Sequence, residues 1–275
     1  GSGVRVPQRA QNKKPRTAVF CFGPYICYST HMGFQPEIIF QNKDVLVINK
    51  PAGLAVHSDG QKAELTLADW VAGKFPDVMD VGEPMILPDG RVVVRPGIVH
   101  RLDKDTSGVM IIALNQKSFL WLKDQFKNRQ VEKTYQAILY GKFADTKNEQ
   151  IIDLPIGRSL KDPRVRVASK KAASNLREAI TIFRVLETIG DYSFVEAKPK
   201  TGRTHQLRAH FKALQHPIVC DRLYAKDKVC PLGLGRQALH ALGLKIVLPD
   251  GESKQFEALL AEDIKVALDN LRKPC

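Results

Sequence analysis

A dense run of polar and charged residues at 100–108 (H-R-L-D-K-D-T-S-G) leads directly into the apolar run 109–113. The apolar run is typical of a buried strand. Charges at the lip of such a strand are unfavourable unless they are paired or used in a function. The run contains carboxylates, and a carboxylate could act as a nucleophile or as a general base. A polar run that directly precedes a buried strand therefore predicts functional residues at the rim of the core.

The run H-R-L-D-x-x-T-S-G resembles the catalytic motif of the RluA-type RNA pseudouridine synthases, and four more segments resemble further motifs of that family in the same order. One such motif would be a weak indication, whereas all of them in order are not expected by chance. The segments are N-K-P-A-G-L-A-V-H at 49–57, K-T-Y at 133–135, T-G-R-T-H-Q-L-R-A-H at 201–210 and R-Q-A-L-H-A at 236–241.

The resemblance implies an enzyme that isomerises uridines to pseudouridine in structured RNA, ribosomal or transfer RNA, with Asp103 as the catalytic carboxylate. It leaves open whether Asp103 attacks the sugar or acts as a base on it. Tyr135 is expected to stack on the uracil and to bring its hydroxyl within reach of a proton. Arg203 is expected to lie opposite Asp103 as its ion-pair partner, which keeps the carboxylate ionised. A phosphate contact is the alternative for Arg203.

Other basic residues of these motifs are assigned to RNA binding. Arg101 is expected to help extrude the target base or to fill the gap that it leaves. Lys50, His205 and Arg208 are also assigned to RNA, with a solvated helix face as the alternative for His205 and Arg208. The basic stretch 158–177 is expected to contact the RNA backbone, because phosphate contacts dominate affinity, and a solvated loop is its alternative.

One position departs from the family pattern. The family often has Gly-Asp after a Pro-Ile segment, whereas P-I-V-C-D at 217–221 has Cys220 at the glycine position. Cysteine tolerates a positive φ poorly, so the local backbone is in question there. The five cysteines form no C-x-x-C pair, which favours free thiols in the reducing cytoplasm.

Composition and charge favour a nucleic-acid partner. The formal net charge is +13, and the first 36 residues contain five basic residues and no acidic residue, so residues 37–275 keep +8. A basic surface favours a polyanion. The sequence contains no signal peptide and no apolar run of the roughly 18–20 residues that span a bilayer. It contains no phosphate-binding loop, H-E-x-x-H motif or cysteine–histidine set at zinc spacing, so we expect no cofactor and no metal.

Two other functions compete with the isomerase. A non-catalytic RNA-binding protein or chaperone on the same scaffold would keep the basic surface but lose Asp103, Tyr135 or Arg203, and all three are present. A degenerate kinase catalytic loop is disfavoured, because the order is H-R-L-D and no glycine-rich loop or D-F-G accompanies it. We expect a monomer that needs no protein partner and contacts no membrane.

The elements that must position these residues follow from the apolar pattern. Helical spacing predicts helices over 66–75, 117–129, 204–214 and 261–271, and strands are predicted over 37–40, 45–48, 135–140, 177–187 and 192–198. Residues 82–97 are predicted to form an inserted loop or hairpin. Because strands outnumber helices and seldom alternate with them, we expect an α+β fold.

The resemblance implies one pseudouridine-synthase-like catalytic domain with a mixed, largely antiparallel central sheet, flanked by helices and with a basic cleft. We place this domain at residues 32–275. Residues 1–31 are expected to form a basic, unstructured arm.

Overall fold

The computed structural model describes residues 19–22, 25–29, 35–58, 64–86, 90, 92–169, 173–230 and 233–273. The chain divides into two units, Gly1–Gln35 and Pro36–Cys275. In the first unit, strands β1 (Val19–Phe22) and β2 (Tyr25–Ser29) pair antiparallel. Most of the predicted arm lies outside the described residues, so its lack of structure and the domain boundary at residue 32 stay predictions.

The second unit contains the motifs. Its strands are β3 (Glu37–Gln41), β4 (Val45–Lys50), β5 (Met85–Ile86), β6 (Val92–Val93), β7 (Ser107–Ala113), β8 (Glu132–Tyr140), β9 (Gln150–Asp153), β10 (Ile156–Ser159), β11 (Arg166–Ala168), β12 (Ala173–Arg177), β13 (Ile180–Ile189), β14 (Tyr192–Pro199), β15 (Leu239–Val247) and β16 (Ser253–Glu257). Its helices are α1 (Leu67–Lys74), α2 (Gln116–Lys127), α3 (Gln206–Ala213) and α4 (Glu262–Arg272), together with a short 3-10 turn, Pro76–Val78.

Nine strands form the central sheet in the order β3-β4-β7-β15-β8-β14-β13-β9, and β16 pairs with the second half of β15. Every neighbouring pair is antiparallel except β7 and β15, which run parallel. The predicted α+β fold with a mixed, largely antiparallel sheet is therefore confirmed.

The predicted helices form within about two residues of their expected ends, and their caps show why. Thr66 accepts a hydrogen bond from the Asp69 amide at the start of α1, and the Asp69 carboxylate accepts one from the Thr66 amide. Asn115 accepts one from the Ser118 amide at the start of α2. Such caps satisfy amide groups that have no partner inside the helix, which fixes where each helix begins.

The core follows the middle of the sheet. All seven residues of β7 are buried, as are Val45 to Ile48 of β4. Helices α3 and α4 pack with β8 and β14 in one cluster, to which Leu207, Phe211 and Ile264 contribute. Gln206, the first residue of α3, donates to the Ile180 carbonyl and to Thr181 Oγ1, which fixes the start of α3 beside the first residues of β13.

Two segments outside the central sheet form small sheets of their own. The predicted insertion contains the antiparallel pair β5 and β6, so the hairpin is confirmed. The basic stretch 158–177 contributes β11 and β12 to a three-stranded sheet in the order β11-β10-β12, so the alternative of a solvated loop is wrong and its contact with RNA stays a prediction. No helix in the described part of the chain is long and apolar enough to cross a membrane.

Candidate active site

A cavity of about 520 Å³ lies where the loop before β7, strand β8 and the start of α3 meet. Asp103 lines it from the loop and Tyr135 lines it from β8. Asp103 is the only carboxylate among the described residues that line the cavity, whereas cations reach it from several elements. These cations are Arg101, Lys127, Arg129, Lys133, Lys200, Arg203 and Arg208.

The loop that carries Asp103 is fixed to the middle of the sheet. The Thr106 amide donates to the Asp103 carbonyl at 3.0 Å and closes a turn, and Ser107 then begins the buried strand β7. Gly108 has a φ of +119°, and a Cβ there would overlap the backbone carbonyl of Ala241 on β15. Only glycine lets the two parallel strands approach this closely. The loop that contains Asp103 is therefore attached to β7 at one of the most constrained points of the core.

Lys50, the last residue of β4, binds the same loop through hydrogen bonds. Its side chain is fully buried, and Nζ donates to the carbonyl oxygens of Pro51, Leu54 and Lys104 at 2.8, 2.9 and 3.0 Å. Burial lowers the pKa of Lys50 to about 7, although the nearby Asp105 acts in the opposite direction. The prediction that Lys50 contacts RNA is wrong, because three carbonyl groups already use its ammonium hydrogens.

The closing motif at 236–241 braces the loop from the C-terminal side. Arg236 donates from Nη1 to the Asp105 carbonyl at 3.2 Å and forms a two-bond fork with Asp263. Gln237 Nε2 donates to Thr106 Oγ1 at 3.3 Å. This motif had no predicted role of its own, and in the fold it holds the segment that follows Asp103.

Arg208 is the ion-pair partner of Asp103. Its Nη1 donates to Asp103 Oδ2 at 3.0 Å, while Nε and Nη2 donate to the two carboxylate oxygens of Asp221 at 2.7 and 2.8 Å. Burial opposes the charge of Arg208, but the hydrogen bonds and negative charges of Asp221 and Asp103 together outweigh it and raise the pKa of the guanidinium above its usual value. Arg208 therefore stays charged and bridges a buried carboxylate to the carboxylate in the cavity.

Arg203 does not form the predicted ion pair. Its Nε donates to the carbonyl oxygen of Glu178 at 3.0 Å, and its amide donates to Gln206 Oε1. Arg203 precedes α3, whereas Arg208 lies inside the helix, whose axis is fixed by core contacts of Leu207. Arg203 still lines the cavity, but the cation opposite Asp103 comes from the helix.

His205 and Tyr224 complete the surroundings of Asp103. His205 Nε2 lies 3.9 Å from Asp103 Oδ2, and its Nδ1 lies 3.2 Å from Tyr224 Oη. Burial lowers the pKa of His205, with Asp103 acting in the opposite direction. Arg208 packs over the Tyr224 ring at 5.0 Å. The sequence assigned His205 to RNA binding and gave no signal for Tyr224, yet His205 lies beside Asp103 and Tyr224 contacts both His205 and Arg208.

Tyr135 faces the cavity from β8. Burial, and then the negative charge of Asp103, raise the pKa of Tyr135 above its ordinary value. The hydroxyl therefore stays protonated and can donate a hydrogen bond, and the ring offers a face for stacking. These properties agree with the role implied for Tyr135.

Two further residues of the catalytic run differ in exposure. Arg101 is exposed at the cavity rim, and its Nη1 lies 3.1 Å from His57 Nε2. His100 stacks on Phe126 with ring centres 4.5 Å apart and accepts a hydrogen bond from the Ile111 amide. Burial, and then the charge of Lys133, lower the pKa of His100 to about 3, so it is a neutral structural residue.

Cys220 has the backbone conformation that the departure from the family pattern put in question. Its φ is +58°, and its sulfur is bonded to that of Cys230, with 4.9 Å between the two Cα atoms. The prediction of free thiols is wrong for this pair. The bond closes a loop that begins at Asp221, the partner of Arg208. No group of three or more side chains suited to a metal occurs among the described residues.

The family model for RNA pseudouridylate synthase matches residues 44–213. An uncharacterized RNA pseudouridine synthase of Chloroflexus aurantiacus is 40% identical over 225 residues, which cover 82% of this chain and 66% of that protein. The ribosomal large subunit pseudouridine synthase D of Neisseria meningitidis serogroup B is 34% identical, covering 91% and 67%. The chain thus spans about two thirds of the length of these relatives.

Among solved structures, human RNA pseudouridylate synthase domain containing 4 superposes with a TM-score of 0.66 and 28% identity. The match covers 86% of this chain and 93% of the human one.

Proposed function

The chain belongs to the RNA pseudouridylate synthase family, and we propose that it isomerises uridines of large-subunit ribosomal RNA to pseudouridine with Asp103 as the catalytic carboxylate. The family is one of RNA-modifying isomerases, as the five sequence motifs implied. The ribosomal substrate and the individual roles of the cavity residues are the parts that go beyond family membership.

The reaction requires few components. The bond between N1 of uracil and C1′ of the ribose breaks, the base turns, and C5 joins C1′ while C5 loses a proton and N1 gains one. The change is redox-neutral and needs no group donor. A carboxylate, a cation that orients it and a pocket for the base are sufficient in principle. The cavity contains Asp103, Arg208 and Tyr135 in these three capacities.

The observation that carries the proposal is the ion pair between Asp103 and Arg208 inside the cavity. Arg208 donates to one carboxylate oxygen of Asp103 and is itself held by Asp221, so a fixed cation orients the Asp103 carboxylate. A nucleophile that attacks C1′ and a base that removes a proton from the sugar both require an ionised carboxylate. The arrangement therefore supports catalysis by Asp103 under either mechanism.

The other cavity residues take roles set by their exposure. Tyr135 is withdrawn into the cavity and stacks on the uracil. Arg101 is exposed beside the entrance and contacts the RNA where the base leaves its helix. Lys127, Lys200 and Arg203 line the cavity without a carboxylate partner within 4.0 Å among the described residues, and they neutralise phosphates. Together they form the basic cleft of the fold.

Ribosomal RNA is the proposed substrate because the Neisseria relative, similar over most of this chain, is described as a ribosomal large subunit pseudouridine synthase. The proposal includes action as a monomer in the cytoplasm, where this RNA is found. In-vitro transcripts of large-subunit ribosomal RNA and of transfer RNA, incubated with the protein and chemically marked for pseudouridine, test the choice. Modification of transfer RNA alone would overturn it.

Asp103→Asn tests the catalytic carboxylate. We expect turnover to fall by at least about a thousandfold while RNA affinity stays within about threefold, since only the carboxylate does the chemistry. Asp105→Asn is the matched control, because it removes a carboxylate from the same loop but from outside the cavity lining. Retention of more than about a tenth of wild-type turnover by Asp103→Asn, a loss of only ~1.4 kcal/mol, would refute the assignment.

A further inference from the structure

The strand that presents Tyr135 also presents a lysine to the same cavity. Lys133 and Tyr135 lie two residues apart on β8, and both line the cavity. Side chains two apart on a strand share a face, whereas Thr134 lies on the other face near Gly243. The K-T-Y segment was singled out for its tyrosine, and its lysine has no role in the function described above.

The ammonium of Lys133 has few partners for a group so withdrawn from solvent. Its Nζ donates to the Thr201 carbonyl at 3.2 Å, and no carboxylate lies within 4.0 Å of it among the described residues. Lys245, on the neighbouring strand, instead pairs with Glu132. Burial lowers the pKa of Lys133 to about 8. A partly desolvated cation without a counter-charge is unfavourable for folding, so stability does not explain its place.

The groups that face Lys133 from the packed elements leave its charge uncompensated. His100, from the catalytic run, is neutral because burial lowers its pKa to about 3. Tyr135 is protonated, and Asp103 is paired with Arg208. The remaining titratable groups that line the cavity are His205, whose pKa burial also lowers, and the cations Arg101, Lys127, Arg129, Lys200 and Arg203.

We propose that Lys133 is a further catalytic residue, which stabilises the negative charge on the detached uracil. This inference rests on the proposed isomerisation. When the N1–C1′ bond breaks, its electron pair leaves with N1 and spreads onto the carbonyl oxygens O2 and O4. The ammonium donates a hydrogen bond to one of these oxygens and keeps its proton throughout. A cation that the fold holds in place beside developing negative charge is among the strongest catalytic effects.

The charge on uracil is a short-lived one. After the base turns, the ring electron pair forms the new bond from C5 to C1′. The proton on C5 is then lost to a base and N1 takes up a proton, so the base ends neutral and the hydrogen bond to Lys133 weakens. Lys133 thus contributes more to the intermediate than to substrate or product, which is the condition for raising the rate.

A phosphate contact is the competing role, and position argues against it. The RNA backbone follows the protein surface, where Lys127 and Arg129 are exposed at the cavity mouth. Lys133 is less exposed than either and lies on the same strand face as the aromatic ring assigned to the base. The position of the Lys133 ammonium therefore favours a contact with the uracil over a contact with the RNA backbone.

The test compares Lys133→Met and Lys133→Arg with wild type in single-turnover reactions at saturating RNA, beside direct binding measurements. We expect Lys133→Met to react about a hundredfold more slowly, equal to ~2.7 kcal/mol, with RNA affinity within about threefold. Lys133→Arg keeps a donor and a charge, so its rate should stay within about tenfold. Lys245→Met is the matched control, because it removes a lysine from the same sheet outside the cavity and should change neither quantity.

The pH profile provides a readout that a structural role would not move. The ammonium of Lys133 is present below its pKa of about 8 and is lost above it, so the wild-type rate should fall as pH rises through 8. Lys133→Arg should lack this fall. Lys50, with a pKa of about 7, is unchanged in both proteins, so its contribution cancels in the comparison.

Three results would overturn the proposal. An affinity loss above about tenfold with an unchanged saturated rate makes Lys133 a phosphate contact, and no change in either quantity makes it a bystander. If Lys133→Met does not fold, an unaltered pH profile in Lys133→Arg decides against the proposal. Asp103→Asn is measured on the same RNA. Failure of the ribosomal assignment changes only the RNA used, whereas failure of the Lys133 proposal leaves Lys133→Met active beside an inactive Asp103→Asn.

Discussion

Asp103 is held between two regions that are built in different ways. On the sheet side, β4, β7 and β15 fix the backbone of the loop through full burial, through Lys50 and through the close approach at Gly108. On the helix side, a buried ion-pair network fixes the carboxylate itself, with Arg208 as the bridge between Asp221 and Asp103. The stability of the fold and the orientation of the carboxylate therefore depend on different sets of contacts. Damage to the sheet side should unfold the protein, and damage to the helix side should misplace the carboxylate.

Gly108→Ala should have the largest effect. The added Cβ would overlap the backbone of Ala241, and the φ of +119° is unfavourable for alanine. We expect a loss of about 4 kcal/mol or more in the free energy of unfolding, measured in urea. Gly251→Ala is the control, because its φ is also positive but nothing lies within 4 Å of the added Cβ. It should lose about 1 kcal/mol, and equal losses in the two variants would refute the importance of the close approach.

Asp221→Asn breaks the helix side. It removes the charge from a fully buried carboxylate and leaves Arg208 with one anionic partner, Asp103. We expect a loss of about 3 kcal/mol in the free energy of unfolding. At a temperature where the variant is folded, turnover should fall at least about tenfold because Arg208 no longer holds Asp103 in place. Normal turnover in the folded variant would show that the carboxylate does not depend on this bridge.

Lys50→Met breaks the sheet side more gently. Three buried carbonyl groups lose their donor, but the burial of an ammonium is also relieved, so we expect a loss of about 2 kcal/mol near pH 7. The folded pKa of Lys50, about 7, lies below its unfolded value of 10.5. Between these values the unfolded chain binds more protons, so wild-type stability gains from Lys50 as pH rises.

The deficit of Lys50→Met should therefore grow between pH 7 and pH 9, by about 1 kcal/mol per pH unit. Urea unfolding of both proteins at the two pH values measures it. A deficit that is constant with pH would show that the Lys50 pKa is not lowered in the fold.

Cys220→Gly should have the smallest effect, and its sign should depend on redox conditions. With reductant present, glycine relieves the positive φ and should stabilise the protein by about 1 kcal/mol. Without reductant, the variant loses the bond to Cys230 and should be less stable than wild type by about 2 kcal/mol. Thermal melts under both conditions measure this. Cys230→Ser is the control, since it removes the bond and keeps the strained backbone. The same sign under both conditions would contradict the account.

The sequence predicts the catalytic loop and the strand that follows it from a local pattern, and it predicts the role of Tyr135 from the resemblance to a family motif. The polar run before an apolar strand places Asp103 at a rim, and the K-T-Y segment places Tyr135 on a strand facing it. The choice between two arginines in one motif is different. Arg208 points at Asp103 because α3 starts at Gln206 and packs through Leu207, and residue spacing alone does not fix that rotation.

Local sequence patterns also do not predict which polar residues are buried or which distant strands pair. Lys50 reads as a surface cation, and its burial depends on three carbonyl groups that the fold collects around it. Strand β15 was not predicted, because its neighbours β7 and β8 lie far away in sequence. For the basic stretch, a solvated loop was only the alternative to an RNA contact, and its many charges gave no sign of the short strand β11.

The parallel pairing of β7 with β15 has a consequence for the order of folding. His240 lies opposite Ser107, so β7, which follows the catalytic loop, pairs with a strand that is synthesised more than 130 residues later. Ribosomes add about 5–20 residues per second, and pairing over such distances is slow. For several seconds during synthesis, the edge of β7 that later pairs with β15 therefore has no partner strand. The active site is assembled only after β15 has been made, so a nascent chain carries Asp103 long before it can use it.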